Sequence, residues 1–205
     1  MPKPARNSVA ARAVVTDKRE AILRAAIKVF AGKGYFNSKV ADIAGEAGIA
    51  DGTVYLYFKS KDEILHSIFD RAMAEFISEG KKELAAIADP VGKLTRIAEM
   101  HLERLGSDRD LAIVFQVELR GSTKFMQEFS AAGFGEYLDI IRKTIEDGQN
   151  AGVFRKEVKP VLAAKILYGA LDEMVTNWVL SNKAYPLPPL AGEVLSIFFG
   201  GMSCK

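Results

Sequence analysis

The chain is poor in the residues that most directly announce chemistry. Among 205 residues there is one cysteine, Cys204, and there are only two histidines, His66 and His101. One thiol excludes an internal disulfide and fits a reducing compartment. Two histidines and one cysteine, far apart in sequence, supply no metal-ligand cluster, and no cofactor is implied. No apolar run approaches the ~20 residues that span a bilayer, so no membrane partner is expected. The N-terminal MPKPARNSVAARAVVTDK lacks the continuous apolar stretch of a secretory leader, and the expected location is cytoplasmic. There is no phosphate-binding glycine loop and no G-x-S-x-G elbow. Glu118, Asp172 and Glu173 read as charges on helices rather than as acid–base pairs. An enzyme is not expected.

Charge of one sign is also scarce overall, but it is unevenly placed. The formal net charge is +2. Residues 1–61 hold 11 Lys/Arg against 5 Asp/Glu, which leaves 17 against 21 for the remainder. A basic head on a mildly acidic body suits a protein that presents one end to phosphates.

What is present is helix periodicity from end to end. Strand alternation, internal repeats and low-complexity blocks do not occur. Residues 1–16 read as a flexible basic tail. A first helix is expected over 17–32, ended by Gly32 and Gly34. In 38–61, SKVADIAGEAGIADGTVYLYFKSK, the residues Val40, Ile43, Ala44 and Ala47 have the spacing of one buried helical face. Ser38 stands where an N-cap belongs, and Gly48 where a left-handed turn would follow. A second short helix, about 51–58, then shows Thr53, Tyr55 and Tyr57. This is a helix-turn-helix pattern, in which one helix braces the DNA backbone and the next enters the major groove. A long helix follows from Ser60, whose spacing to Glu63 fits a capping box. Further helices are expected at about 90–105, 123–149, 160–181 and 190–199, with an apolar segment at 110–120. The fold class is all-α, a three-helix head (17–61) on a six-helix body (62–205).

Residues 17–65 resemble the DNA-binding domain of the TetR family of bacterial one-component transcriptional repressors. The leading helix, the turn glycine and the ending G-T-x-Y-x-Y-F-x-S-K at residues 52–61 carry the resemblance. The expected partner is a duplex operator with an inverted repeat. Ser38 and Lys39 open the first motif helix as phosphate candidates. Asp51 offers an acceptor for a cytosine amine, or a cap in place of Ala50. Tyr55 and Leu56 suit thymine methyls. The resemblance implies Thr53, Tyr57 and Lys61 as phosphate ligands, with Gly52 inside the same contact set. Phe58 is assigned to the core.

In the body, Phe115, Phe125, Phe129, Phe134 and Tyr137 fall close together. A helical body with such a lining suits an apolar ligand. Residues 111–129, the GVFR turn and 167–187 resemble the TetR-type fatty-acid degradation repressors that respond to long-chain acyl-CoA. That resemblance implies an acyl tunnel with cations for the CoA phosphates. The expected ligand residues are Phe69, Met100, Arg104, Phe115, Leu119, Phe129, Tyr137 and Tyr168. Arg96, Arg104, Arg109, Arg120 and Lys124 are the candidate cations. The family likeness also implies a homodimer through the last two helices, with Leu171, Met174, Trp178, Val194 and Phe198 at the interface. A multidrug sensor of the same family is the alternative. From other classes, the alternatives are a helical lipid-binding protein or enzyme, and an architectural DNA-binding protein without effector.

Overall fold

The structure is a computed structural model. It describes residues 7–121, 127, 133–181, 183 and 185–203, with residues 7–16 by backbone alone. Among the described residues the regular structure is helical: α1 (Asn7–Lys33), α2 (Val40–Ala47), α3 (Asp51–Tyr55), α4 (Lys61–Leu84), α5 (Pro90–Gly106), α6 (Arg109–Ile113), α7 (Gly133–Asn150), α8 (Pro160–Leu180) and α9 (Leu190–Met202). A π-helical turn (Val114–Glu118) and a 3₁₀ turn (Leu119–Gly121) follow α6. The backbone is already helical from Asn7, so much of the expected flexible tail belongs to α1. Of the long helix expected over 123–149, only the first third falls largely outside the described residues, which resume it at Gly133.

The chain divides into two compact units, Met1–Phe69 and Asp70–Lys205. The boundary falls inside α4, eight residues beyond the expected head. In the first unit α1 packs on α2, and α2 on α3. Ile22, Ala26, Phe30, Ile43, Ala44, Val54 and Phe58 are buried there. Gly48 has φ 68° and closes α2 in the left-handed region, where a side chain would be strained. Ser38 does not cap α2. Lys39 occupies the cap position, and its N–H donates to Asp42 Oδ2 at 2.8 Å. Ser38 instead donates from Oγ to Gly34 O at 2.6 Å and is buried. Ser60 does cap α4: its Oγ accepts from Glu63 N, and Glu63 Oε2 accepts from Lys59 N.

In the second unit α7 and α8 pack together, and α5 packs on α7, α8 and α9. The Asp89 carboxylate accepts from Gly92 N, and Pro90 fills the first turn of α5, where its missing N–H costs nothing. Pro160 does the same for α8. Arg109 finishes α8 from outside, donating to Trp178 O at 3.2 Å and Val179 O at 2.8 Å. Those carbonyls have no partner within the helix. Among the described residues no helix is long and apolar enough to cross a membrane.

Candidate functional site

The helix-turn-helix is built to leave one face of α3 unpartnered. Val54 points inward and is fully buried, which orients the remaining residues of this short helix. Asp51 and Gly52 are exposed, Thr53 and Tyr57 are half-buried, and Tyr55 and Leu56 are 57% and 82% exposed. Two large side chains exposed together form an apolar patch, which is more informative than either alone. Here they stand in solvent, side by side with a glycine. A Cβ at Gly52 would meet nothing within 4 Å, so the subunit's own packing does not require a glycine there. Asp51 does not replace Ala50 as cap, because α3 has no side-chain cap bond.

Two of the expected phosphate ligands are occupied. Ser38 is buried, with its hydroxyl and its N–H both given to carbonyls. Lys61 Nζ donates to Tyr35 O at 2.6 Å and Ser38 O at 2.8 Å, and lies 4.3 Å from the centre of the Tyr35 ring. It clamps the loop between α1 and α2. Burial, then the hydrogen bond to Asp62, holds the Tyr35 phenol above its ordinary pKa, so it stays a donor to that carboxylate. Lys39 is exposed. Substituting Lys39 by alanine is expected to weaken binding to all DNA sequences alike and to reduce the salt slope by about one. Lys61→Ala should also lower the unfolding temperature, whereas Lys39→Ala should not. Tyr55→Ala should shift preference at particular base pairs by about 1–3 kcal/mol each. Equal losses on every operator variant for Tyr55→Ala would refute its reading role.

The second unit contains a cavity of about 310 Å³. α4 contributes Ala72, Met73 and Phe76, and α5 contributes His101, Arg104 and Leu105. The α6 end and the two turns after it add Leu111, Phe115, Gln116, Leu119 and Arg120; α7 adds Phe134 and Tyr137; α8 adds Tyr168 and Asp172. The lining is mostly apolar and aromatic, with polar groups gathered around one carboxylate. Asp172 is buried on α8 and accepts from Gln116 Nε2 at 2.8 Å, from Tyr168 OH at 3.1 Å and from Arg120. Thr176 Oγ1 donates to Gln116 Oε1 at 3.0 Å, which fixes the amide orientation. The π-helical turn carries Gln116, and such turns often mark functional sites because one extra residue re-aims its neighbours.

His101 Nδ1 lies 3.1 Å from Tyr137 OH, and no hydrogen-bond partner is found for Nε2. Burial pushes the His101 pKa down to about 4, against the opposing charge of Asp172. Burial also raises the Tyr137 and Tyr168 phenols. The hydroxyl of Tyr137 therefore keeps its proton at neutral pH and, with the imidazole in its Nε2–H tautomer, donates a hydrogen bond to Nδ1.

Of the expected ligand residues, Arg104, Phe115, Leu119, Tyr137 and Tyr168 line this cavity. Met100 does not; it turns to a separate small cavity of about 20 Å³. Phe69 is buried in the first unit and is absent from the lining. Phe129 and Lys124 lie outside the described residues. Among the candidate cations, Arg104 and Arg120 border the cavity, partly exposed and paired with Glu75 and Asp172. Arg96 is instead held by Glu83, Glu99 and Glu103, and Arg109 by the end of α8. His101, Gln116 and Asp172 also line the cavity but are not among the expected ligand residues. Their partners stand 36 to 56 residues away, so no local pattern reveals them.

Within the subunit the expected interface residues fall into two groups. Leu171, Trp178 and Val194 belong to the subunit's own core, at 0%, 9% and 9% exposure. Met174 and Phe198 pack partly against that core. The exposed apolar residues of the last two helices are different ones: Val161, Leu162, Ile166 and Leu180 on α8 and Ile197 on α9.

Comparison with known proteins places this architecture. Residues 22–68 match the family of bacterial regulatory proteins of the tetR type, and residues 69–201 match the C-terminal region of YsiA-like proteins. The fatty acid metabolism regulator protein of Bacillus subtilis is 36% identical over 184 residues, spanning 90% of this chain and 95% of its own. The crystal structure of the transcriptional regulator FadR from Bacillus subtilis in complex with stearoyl-CoA superposes with a TM-score of 0.84, at 36% identity, over 89% of this chain and 98% of that one. The fatty acid degradation regulator FadR from Bacillus halodurans superposes with a TM-score of 0.85, at 36% identity, over 90% and 95% of the two chains. With a helix-turn-helix head, a helical body around a cavity, and relatives that are transcriptional regulators along nearly their whole length, this chain belongs to the TetR family of bacterial regulators.

Proposed function

We propose that the protein is a transcriptional repressor of fatty acid metabolism that binds an inverted-repeat operator as a homodimer and leaves it when a long-chain acyl-CoA fills the body. The observation that carries this reading is the apolar cavity bordered by Arg104 and Arg120. Its aromatic and aliphatic walls suit a hydrocarbon chain. The two guanidiniums suit phosphate, whose paired oxygens guanidinium binds with two parallel donors. A relative with this fold and 36% identity has been crystallised with stearoyl-CoA. The head supplies the DNA contacts through Lys39, Thr53, Tyr55, Leu56 and Tyr57, with Gly52 allowing close approach. A protein of this kind acts in the cytoplasm, where its operator and acyl-CoA meet.

Release requires that the ligand bind better to a state that fits the operator poorly. α4 is the element to carry the difference. It is one continuous helix from Lys61, which clamps the head's loop, to the turn containing Ala72, Met73 and Phe76 on the cavity wall. Coupling of about 1–3 kcal/mol is typical, so saturating acyl-CoA should reduce operator affinity roughly 5–150-fold. A titration of the operator complex with acyl-CoA, free CoA and free fatty acid tests the reading. Release by acyl-CoA alone is the expected result. Release only by unrelated aromatic drugs would favour the multidrug-sensor alternative instead.

A further inference from the structure

We propose that His101 reads the thioester of the ligand: its Nε2–H donates a hydrogen bond to the acyl carbonyl oxygen and so selects a thioester over ligands that bring only a hydrocarbon chain. The inference rests on the acyl-CoA reading above and names a specificity-determining contact for that ligand.

His101 lies on α5, lines the cavity and is buried. Two tyrosines hold its ring. Tyr137 is stacked on it with 5.9 Å between centroids, and Tyr168 stands edge-on at 6.0 Å. Nδ1 lies 3.1 Å from Tyr137 OH. Which nitrogen carries the hydrogen follows from counting partners. If Nδ1 donated, the Tyr137 hydroxyl hydrogen and the Nε2 lone pair would both be left over among the described residues. If Tyr137 donates, only Nε2–H is left over. The second arrangement strands one group instead of two, so Nε2 is a donor.

Among the described residues, Nε2 of His101 is the one buried side-chain nitrogen or oxygen without a hydrogen-bond partner. Buried polar groups in native proteins are nearly always paired, so an orphan on a cavity wall points to a partner from outside the chain. The other polar groups of the wall are engaged. Asp172 accepts from Gln116, Tyr168 and Arg120, and Arg104 pairs with Glu75. Gln116 also accepts from Thr176. The unmet demand here is a single donor, and an acceptor brought in by the ligand satisfies it.

Two features fix the kind of acceptor. Arg104 follows His101 by three positions on α5, so their side chains leave one face a turn apart, about 5–6 Å between Cβ atoms. Arg104 is partly exposed, whereas His101 is buried. An acyl-CoA that turns its phosphates toward the cation at the border and its hydrocarbon toward the apolar wall carries its thioester between them. The carbonyl oxygen is the last polar atom before the chain. The second feature is charge. The carboxylate of Asp172 faces the imidazole and opposes another anion beside it. A neutral carbonyl oxygen therefore suits this donor better than a free carboxylate does. A hydrogen bond in that shielded position is stronger than one in water.

The test is calorimetric titration of the full-length protein with hexadecanoyl-CoA and with S-hexadecyl-CoA, the thioether in which a methylene replaces the carbonyl. The wild type should bind the thioester roughly 5–100-fold more tightly, because the thioether leaves Nε2–H unpaired. His101→Phe keeps an aromatic ring and removes the donor. It should bind both ligands alike. NMR of the histidine-labelled wild type adds a readout that needs no variant to fold: the Nε2–H resonance of His101 should move downfield with the thioester and not with the thioether. Equal affinity of the wild type for the two ligands would overturn the contact while leaving the acyl-CoA reading intact. So would a preference that survives in His101→Phe, or the same Nε2–H shift with both ligands. Failure of hexadecanoyl-CoA to bind would overturn both.

Discussion

Replacing Ile197 by glutamate should leave a folded subunit that no longer binds its operator tightly. Ile197 is 81% exposed on α9, so within the subunit the change removes almost no contact. Surface substitutions of that kind shift stability by about 0.5 kcal/mol or less. An exposed isoleucine beside two exposed glycines, Gly200 and Gly201, one turn on, marks a helix face that a partner can approach closely. α8 carries its own exposed apolar residues, Leu162 and Ile166 among them. If two copies meet through these faces, a buried carboxylate at position 197 has no counter-charge and disfavours the dimer strongly. A monomer presents one head, and joining two heads raises avidity by about 10²–10⁴ over a single one. Operator affinity should fall at least ~100-fold, with helical content unchanged by circular dichroism and the mass halved in sedimentation equilibrium. Trp178→Glu should behave differently. It removes the buried indole that packs in the core and under Arg109 and breaks the bond from Trp178 Nε1 to Tyr185 O, and the product should be insoluble. Ile197→Glu that remains a dimer with native operator affinity would remove this face from the interface.

The contrast between Ile197 and Trp178 shows where sequence reading stops. On α8 the residues Ala164, Leu167, Leu171, Val175 and Trp178 form one apolar stripe, and Leu162, Ile166 and Leu180 lie on another side. Periodicity reveals that the helix is apolar on two sides. It does not reveal which side meets the subunit's own core, because both stripes have the same chemistry. Met100 is a similar case. It is adjacent to His101, but one residue turns a helix by about 100°, and the two side chains enter different cavities. Helix limits were easier where a local device fixes them. Asp89-Pro90 and Pro160 open α5 and α8 at the expected residues, and Gly48 closes α2. Ser38 has the composition of a cap without its geometry, since the nearby carbonyl of Gly34 takes its hydroxyl. Lys61 was legible as a functional cation, but its clamp on Tyr35 and Ser38 depends on a contact across more than twenty positions. The polar cluster about Asp172 is of the same kind: each member is unremarkable until the fold brings the others to it.

His101 should make the protein lose stability as the pH falls below neutrality. Folding buries the imidazole between Tyr137 and Tyr168, with Asp172 as the charge that faces it. Burial outweighs that carboxylate, and the folded pKa drops to about 4. In the unfolded chain it returns to about 6.5. Below 6.5 the unfolded state therefore binds a proton that the native state refuses. The unfolded state carries more protons, so stability rises with pH across this window and is lost as pH falls from 6.5 through 4. Two and a half pKa units correspond to about 3 kcal/mol at the acid end, and about 2 kcal/mol is already lost by pH 5. Carboxylates begin to titrate near the lower limit, so the comparison belongs between pH 7.5 and 5. Urea unfolding of the wild type and of His101→Gln at one protein concentration isolates the effect. Glutamine can still accept from Tyr137 but does not ionise. The wild type should lose about 2 kcal/mol more than the variant over that range. Parallel curves for the two proteins, or a His101 resonance that titrates near 6.5, would show that the imidazole takes up its proton without leaving the fold.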